Sequence, residues 1–210
     1  GIAPRSPRAA LPISGRFRLV PSTTPIEKHD HVDLLLDDGH CVRFRDPRRF
    51  GSVTWVSGDP LVSQYLYHLG PEPLVDDFDG QYLYTKARGR RTAVKNFIMD
   101  GRIVVGVGNI YASEALFRSG IRPTRVAGRI ALERYNLLVI AIQSVLGEAI
   151  AAGGTTLRDY SRVTGEPGYF EQALKVYARQ GQPCEVCSDL INRKVIDRKS
   201  TRLNSSHSEI

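Results

Sequence analysis

Four short stretches bring together residue types that can do chemistry. Val105-Gly106-Val107-Gly108-Asn109-Ile110-Tyr111 places two glycines directly before a helical pattern. Glycine lets a backbone approach a ligand closely, and a helix start offers unpaired N–H groups to an anion such as a phosphate. A plain helix start capped by Asn109 reads equally well, and the glycine spacing is not that of the dinucleotide fingerprint. Asp46-Pro47-Arg48-Arg49-Phe50-Gly51 puts two guanidinium groups and one ring on a tight turn. Such a loop can enter duplex DNA, its apolar side chain unstacking a step while arginine fills the vacated space. It can equally be a solvated turn with Phe50 folded into the core. Arg88-Gly89-Arg90-Arg91, with Lys95 one turn on, is either a phosphate-holding cluster or a solvated charged face. Cys184-Glu185-Val186-Cys187 has the spacing of one half of a tetrahedral zinc site, but no further Cys follows it and the only later His is His207. A redox role for this pair lacks the thioredoxin-like setting it would need.

The elements that must position these residues change character along the chain. Residues 1–12, rich in Pro, Ala and Arg, show no period. From Arg16 to about Val56 the alternation predicts strands, with Asp37-Asp38-Gly39 as a hairpin turn, Cys41 as a buried or half-buried strand residue and a further short strand through Val53, Trp55 and Val56. Leu61, Tyr65, Leu66 and Leu69 then recur at helical spacing up to Gly70-Pro71. Short helices are predicted near 79–87 and 92–99, another from Asn109 to Gly120, and a long one from about Ala131 to Ala152. The long helix is given Leu137, Leu138, Ile142, Val145, Leu146 and Ile150 as its apolar stripe. The fold class is therefore α+β: an antiparallel sheet region, a helical region and a small Cys-bearing tail.

With 210 residues, 41% of them hydrophobic, the chain can bury a real core. Lys and Arg outnumber Asp and Glu by 29 to 22, a net charge of +7 that is compatible with a polyanionic partner. No apolar run approaches the roughly 20 residues that span a bilayer, and no signal peptide opens the chain. A cytoplasmic protein without a membrane partner is expected. Three cysteines, an odd number, argue against a disulfide framework.

Taken together and in order, these stretches resemble the formamidopyrimidine-DNA glycosylase (MutM) family. The resemblance runs from Ile13-Ser14-Gly15 to about Ile196. It includes Glu27-Lys28-His29-Asp30-His31-Val32-Asp33, the Asp46–Gly51 loop, Leu69-Gly70-Pro71-Glu72-Pro73-Leu74, Val104 to Phe117, Gly153 to Tyr160 and Pro167-Gly168-Tyr169-Phe170. It implies a remnant of an N-terminal β-sandwich over 13–58, a helix–two-turn–helix DNA-binding domain over 59–170 and the first half of a zinc finger over 171–196. It also implies a monomeric base-excision repair enzyme that removes oxidised purines, such as 8-oxoguanine and formamidopyrimidines, from duplex DNA and cuts at abasic sites. Carried over by position, His29, Arg48 and Arg90 contact DNA and Asn109 binds a phosphate. Arg48 and Phe50 fill the void left by an extruded nucleotide, with Ile13 where the family has Met. The loop from Gly154 to about Phe170 corresponds to the lesion-capping loop. Alternatives are a non-catalytic DNA-binding module, or the endonuclease VIII branch, which the KHDH and DPRRFG segments disfavour. A zinc-ribbon interaction protein would need a second Cys pair.

Two departures shape the expectations. The family's catalytic N-terminal Pro-Glu, whose proline amine attacks C1′ of the damaged nucleotide, has no counterpart in Gly1-Ile2, and the family's Lys and its C-terminal Arg are missing too. This polypeptide is therefore expected to bind DNA without catalysing. Past Ile196, Asp197 to His207 reads as the translation of a common short-read sequencing adapter, so residues 197–210 are expected to stand outside the finger. Zinc, a feature of the intact family member, is expected not to be held by Cys184 and Cys187 alone, and residues from about Lys175 onward are expected to be frayed or disordered.

Overall fold

A computed structural model of the chain describes residues 15–51, 53–54, 63, 66–74, 78–152, 174–196 and 199–204, with backbone only for 195 and 199–204. The chain divides into two compact units, Gly1–Tyr67 with Ala152–Glu171, and His68–Ala151 with Gln172–Ile210. Among the described residues no helix is long and apolar enough to cross a membrane.

The first unit is built on three antiparallel strands, β1 (Arg16–Pro21), β2 (Asp30–Leu35) and β3 (His40–Arg45), in the order β1-β3-β2. The expected hairpin turn joins β2 to β3: Gly39 has φ +84°, and the Asp38 carboxylate accepts the His40 N–H at 3.0 Å. Because side chains alternate across a strand, the register stacks Phe17, Phe44 and Val32 in one row and Leu19, Val42 and Leu34 in the next, all on one face. The opposite face carries Cys41, fully buried as expected, and Arg43. The expected extra strand is not seen: Gly51, Val53 and Thr54 carry no strand, and Trp55 and Val56 lie outside the described residues. This single sheet is the part of the expected sandwich that the described residues contain.

Arg43 is the largest fully buried side chain of the unit. Its guanidinium makes two 2.8 Å bonds to the Asp33 carboxylate and donates to the backbone oxygens of Pro25 (2.9 Å) and Thr24 (3.0 Å). Arg45 pairs with Glu27 alongside it. These bonds fasten the connection that carries His29 to the sheet. They also hold the carboxyl groups of Asp33 and Glu27 below the usual range, Arg43 being the chief cause for Asp33 and Arg45 for Glu27.

Helices dominate the second unit: α1 (Gly80–Ala87), α2 (Val94–Ile98), α3 (Asn109–Arg118) and α4 (Leu132–Ala151), close to their predicted places. Asp79 caps α1, accepting the Tyr82 N–H at 2.7 Å. Gly120, at φ +63°, ends α3. Both α1 and α3 lie against α4. Gly80 lets α1 meet α4 closely, since a Cβ there would stand 2.7 Å from the backbone nitrogen of Asn136. The buried side of α4 is Tyr135, Leu138, Val139, Ala141, Ile142, Val145, Leu146 and Ala149. Leu137 and Ile150, assigned to the stripe from sequence, are exposed, and small alanines take part in its place, as a close helix contact requires. The helix expected from Leu61 to Leu69 falls partly outside the described residues. Leu66 to His68, which are described, form a turn.

Residues 174–196 are packed onto the helical unit around Val176, Cys184 and Ile191, with Phe117 and Cys187 against them. Strand β4 (Ile191–Ile196) pairs antiparallel with β5 (Lys199–Asn204). The carboxylate of Glu114 lies beneath this cluster.

Candidate nucleic-acid interface

In the first unit, the loop Asp46–Gly51 is organised from inside by Asp46, which is fully buried. Its carboxylate accepts the N–H of Arg48 at 3.1 Å and of Gly51 at 2.5 Å, and its carbonyl accepts the N–H of Arg49 at 3.3 Å. A ring nitrogen of His31 lies 2.9 Å from the same carbonyl. The Asp46 N–H in turn donates to the His29 carbonyl at 2.9 Å. One residue thus ties the His29 segment to the arginine loop. Gly51 leaves room for nothing larger, because a Cβ would press on the Phe44 ring. The tight path forces Arg49 to φ 56°, a conformation costly for a residue with a Cβ.

The outcome is a loop whose base is buried and whose tip is outside. Phe50 is 76% exposed, so the reading that folds it into the core is set aside. Arg48 is exposed as well, and His29 is partly buried beside the loop base. Ile13 lies outside the described residues, as does the Gly154 to Phe170 loop. A cavity of about 420 Å³ under the loop is lined by His31, Val32, Phe44, Asp46, Arg49, Gly51 and Val53.

The second unit carries its own basic and glycine-rich features. Arg90 is exposed, and its backbone is clamped by bonds to Ala87 O at 3.0 Å and from Gly128 N at 3.1 Å. Arg88 is committed elsewhere: it stacks 4.0 Å over the Tyr84 ring and donates to Ile130 O at 3.2 Å. Gly106 has φ +79°, and neither it nor Gly108 has any atom within 4 Å of where a Cβ would stand. No neighbour in the fold requires these two glycines to be small, which leaves the surface free for a close-approaching ligand. Gly108, extended, is the N-cap of α3, and Asn109 is the first helical residue rather than the cap expected from sequence. Capping needs a side chain folded back to the N–H groups, whereas the Oδ1 of Asn109 is buried without a hydrogen-bond partner.

Lys95 requires a larger correction. Instead of facing solvent as a phosphate contact, it is 0% exposed and donates from Nζ to Ser113 Oγ at 2.8 Å, and Ser113 Oγ donates to Asn109 O at 2.8 Å. α2 turns this face inward because Val94, Phe97 and Ile98 around it are core residues. Its charge therefore sits behind the first turn of α3.

Cys184 and Cys187 lie on a tight turn, closed by the Ser188 N–H donating to the Cys184 carbonyl at 2.9 Å. The N–H of Val186 points at Cys184 Sγ at 3.3 Å, and Ser188, at φ 65°, turns the chain back. Two thiols are half of the four ligands zinc takes, and among the described residues no group of three or more metal-ligating side chains comes together. The described residues therefore do not make up the whole set.

Sequence reading passed over Asp46 and Glu114. Asp before Pro in a turn was a usable signal for the first. For the second the hint was a carboxylate on the apolar side of α3, next to Ala115 and Leu116.

With this geometry in hand, comparison with known proteins is specific. A profile of the formamidopyrimidine-DNA glycosylase H2TH domain matches residues 69–161, and one of the formamidopyrimidine-DNA glycosylase N-terminal domain matches residues 5–53, starting upstream of Ile13. The formamidopyrimidine-DNA glycosylase of Syntrophotalea carbinolica is 56% identical over 191 residues, 91% of this chain and 70% of that protein. That of Alcanivorax borkumensis is 56% identical over 191 residues, 91% of this chain and 71% of its own length. A Lactococcus lactis FPG mutant, solved in a complex with a Fapy-dG containing DNA, has a TM-score of 0.86 at 29% identity, over 96% of this chain and 74% of that one. The MutM (FPG) protein from Thermus thermophilus has a TM-score of 0.83 at 35% identity, over 93% of this chain and 72% of that one. Both domain profiles match in order, and relatives more than half identical are covered over more than two thirds of their length: the chain belongs to the formamidopyrimidine-DNA glycosylase family.

Proposed function

We propose that this chain is the DNA-engaging part of a base-excision repair glycosylase and abasic-site lyase that removes oxidised purines from duplex DNA. Support comes from the family and from structural relatives solved with a Fapy-dG containing DNA and with abasic-site DNA. The observation that carries the reading is the loop Asp46–Gly51, whose buried aspartate holds Arg48 and an exposed Phe50 out of the surface. An exposed ring on a basic loop is costly in water and useful between base pairs. In this reading Phe50 is the wedge, Arg48 occupies the space of the extruded nucleotide, and His29 and Arg90 contact the backbone. Asn109, with the open glycines before it, takes a phosphate at the start of α3. Cys184 and Cys187 contribute half of a zinc site.

Arg48→Ala is the direct test. The vacated space exists only opposite a strand that has kept its base, so the loss falls on abasic or lesion duplex more than on single strands, by about 1–3 kcal/mol. Equal losses on both reduce Arg48 to a generic phosphate contact. Chemistry is read separately by borohydride trapping. A trapped covalent adduct on an abasic duplex supports the lyase part of the reading, and binding without trapping leaves this polypeptide the DNA-engaging role alone.

A further inference from the structure

Glu114 is a buried carboxylate in the middle of α3 that the contacts assigned above do not use. It is 0% exposed. Its Oε2 accepts the N–H of Lys175 at 2.9 Å, and its Oε1 accepts those of Val176 at 3.0 Å and Tyr177 at 2.8 Å. Three successive N–H groups converging on one point make an anion-binding concavity, and here the anion is a side chain of the helix. One turn further along the same face, Phe117 packs against the Val176, Cys184 and Ile191 cluster. α3 therefore carries Asn109 in its first turn and, about 7.5 Å along its axis at Glu114, holds the start of the Cys-bearing hairpin. The hairpin's strand β4 begins at Ile191 in that cluster and leaves Arg193 and Lys194 exposed, one on each of its faces.

We propose that Glu114 is a positioning residue that indexes the Cys-bearing hairpin to the phosphate-facing helix, so that Arg193 and Lys194 meet the same duplex as Asn109. The proposal rests on the duplex-binding reading above. Apolar packing by Phe117 would attach the hairpin without a desolvated charge. A buried carboxylate is costly, and what it adds is one defined geometry. Being acceptor-only, it satisfies all three N–H groups, whereas glutamine would set an NH₂ against one of them.

The test uses Glu114→Gln in the full chain, with Arg193→Ala/Lys194→Ala as its partner. Expected in Glu114→Gln are faster amide exchange at Lys175–Tyr177, unchanged exchange in α4, and a salt dependence of duplex binding shallower by about 1–2 in log–log slope. The Arg193/Lys194 variant is expected to lower the slope equally, and the combined variant no further. Unchanged exchange at 175–177, or slopes that add, overturns the proposal. Should Glu114→Gln not fold, Glu114→Asp, which keeps the charge on a shorter arm, goes through the same cycle with the same two outcomes. If the unmodified chain fails to bind duplex at all, the functional reading falls and takes the proposal with it. Normal binding with an unaltered slope in Glu114→Gln overturns the proposal alone.

Discussion

Replacing Asp46 by asparagine keeps the volume of the side chain and removes one of the two oxygens that organise the loop. Asp46 Oδ1 holds the Arg48 N–H and Oδ2 the Gly51 N–H, so one bond survives and an NH₂ faces the other N–H. A hydrogen bond to a charged group contributes about 1.5–3 kcal/mol, and a buried donor left unpaired costs about 1–3 kcal/mol. Arg49 adds a release term, since its positive φ stores about 1–2 kcal/mol that a loosened loop gives back. The folded sheet keeps Arg43 and its partners, so the change falls on the loop. Reordering one or two of Arg48, Arg49 and Phe50 on binding then costs about 1–2 kcal/mol each. A loss centred near 2 kcal/mol weakens binding to an abasic duplex roughly 30-fold. Fluorescence anisotropy with abasic, undamaged and single-stranded oligonucleotides reads this directly, and thermal melting confirms the fold. A folded variant that binds the abasic duplex within twofold of the unmodified chain would refute the role given to Asp46.

The other predictions concern α3, acid stability and zinc. Gly108→Ala, extended and with open space at its Cβ, leaves the melting temperature unchanged while weakening duplex binding, and Gly106→Ala, at φ +79°, also lowers stability by about 1 kcal/mol; unchanged binding in both sinks the phosphate reading. The Glu148 carboxyl, drawn down to about 2 by hydrogen bonds from Arg118 and then Ser144, contributes stability above its unfolded value that is lost as pH falls toward 2. Because the pair is only partly buried and so screened by solvent, Glu148→Gln costs at most about 1 kcal/mol at neutral pH, and its deficit in urea midpoint closes by pH 2; a deficit that persists unchanged in acid contradicts the assignment. Cys184 and Cys187 supply two of the four ligands zinc takes, so the pair by itself is expected to lose zinc to a mild chelator; one tightly held zinc per chain on metal analysis is the contrary result.

What could be read from the sequence was whatever depends on neighbours close along the chain. The hairpin at Asp37-Asp38-Gly39, the stop at Gly120 and the span of α4 all follow from turn chemistry and a period of 3.6 or 2. The Asp46–Gly51 turn could be singled out for its arginine pair and ring, but whether Phe50 faces core or solvent could not, because that is decided by the buried Asp46. Lys95 was misjudged because a charge beside other charges suggests a surface, and its partner Ser113 comes 18 residues later. Glu114 was out of reach for the same reason at larger scale: its partners are backbone groups 61 to 63 residues downstream, which carry no sequence signature. On α4, Leu137 and Ile150 fit a hydrophobic stripe by type, yet the contact with α1 and α3 selects the side bearing Ala141 and Ala149.

Arg43 also imposes an order of assembly. Its partner Asp33 is 10 residues away across a tight hairpin, while the carbonyls of Pro25 and Thr24 are 18 and 19 residues away. Closing the shorter loop loses less chain entropy, so the hairpin zips first and presents a guanidinium already half engaged. The connection bearing His29 then docks onto that guanidinium, late in folding and early to release on warming. Its amides should therefore exchange through small local openings while those of β3 wait for the sheet to come apart.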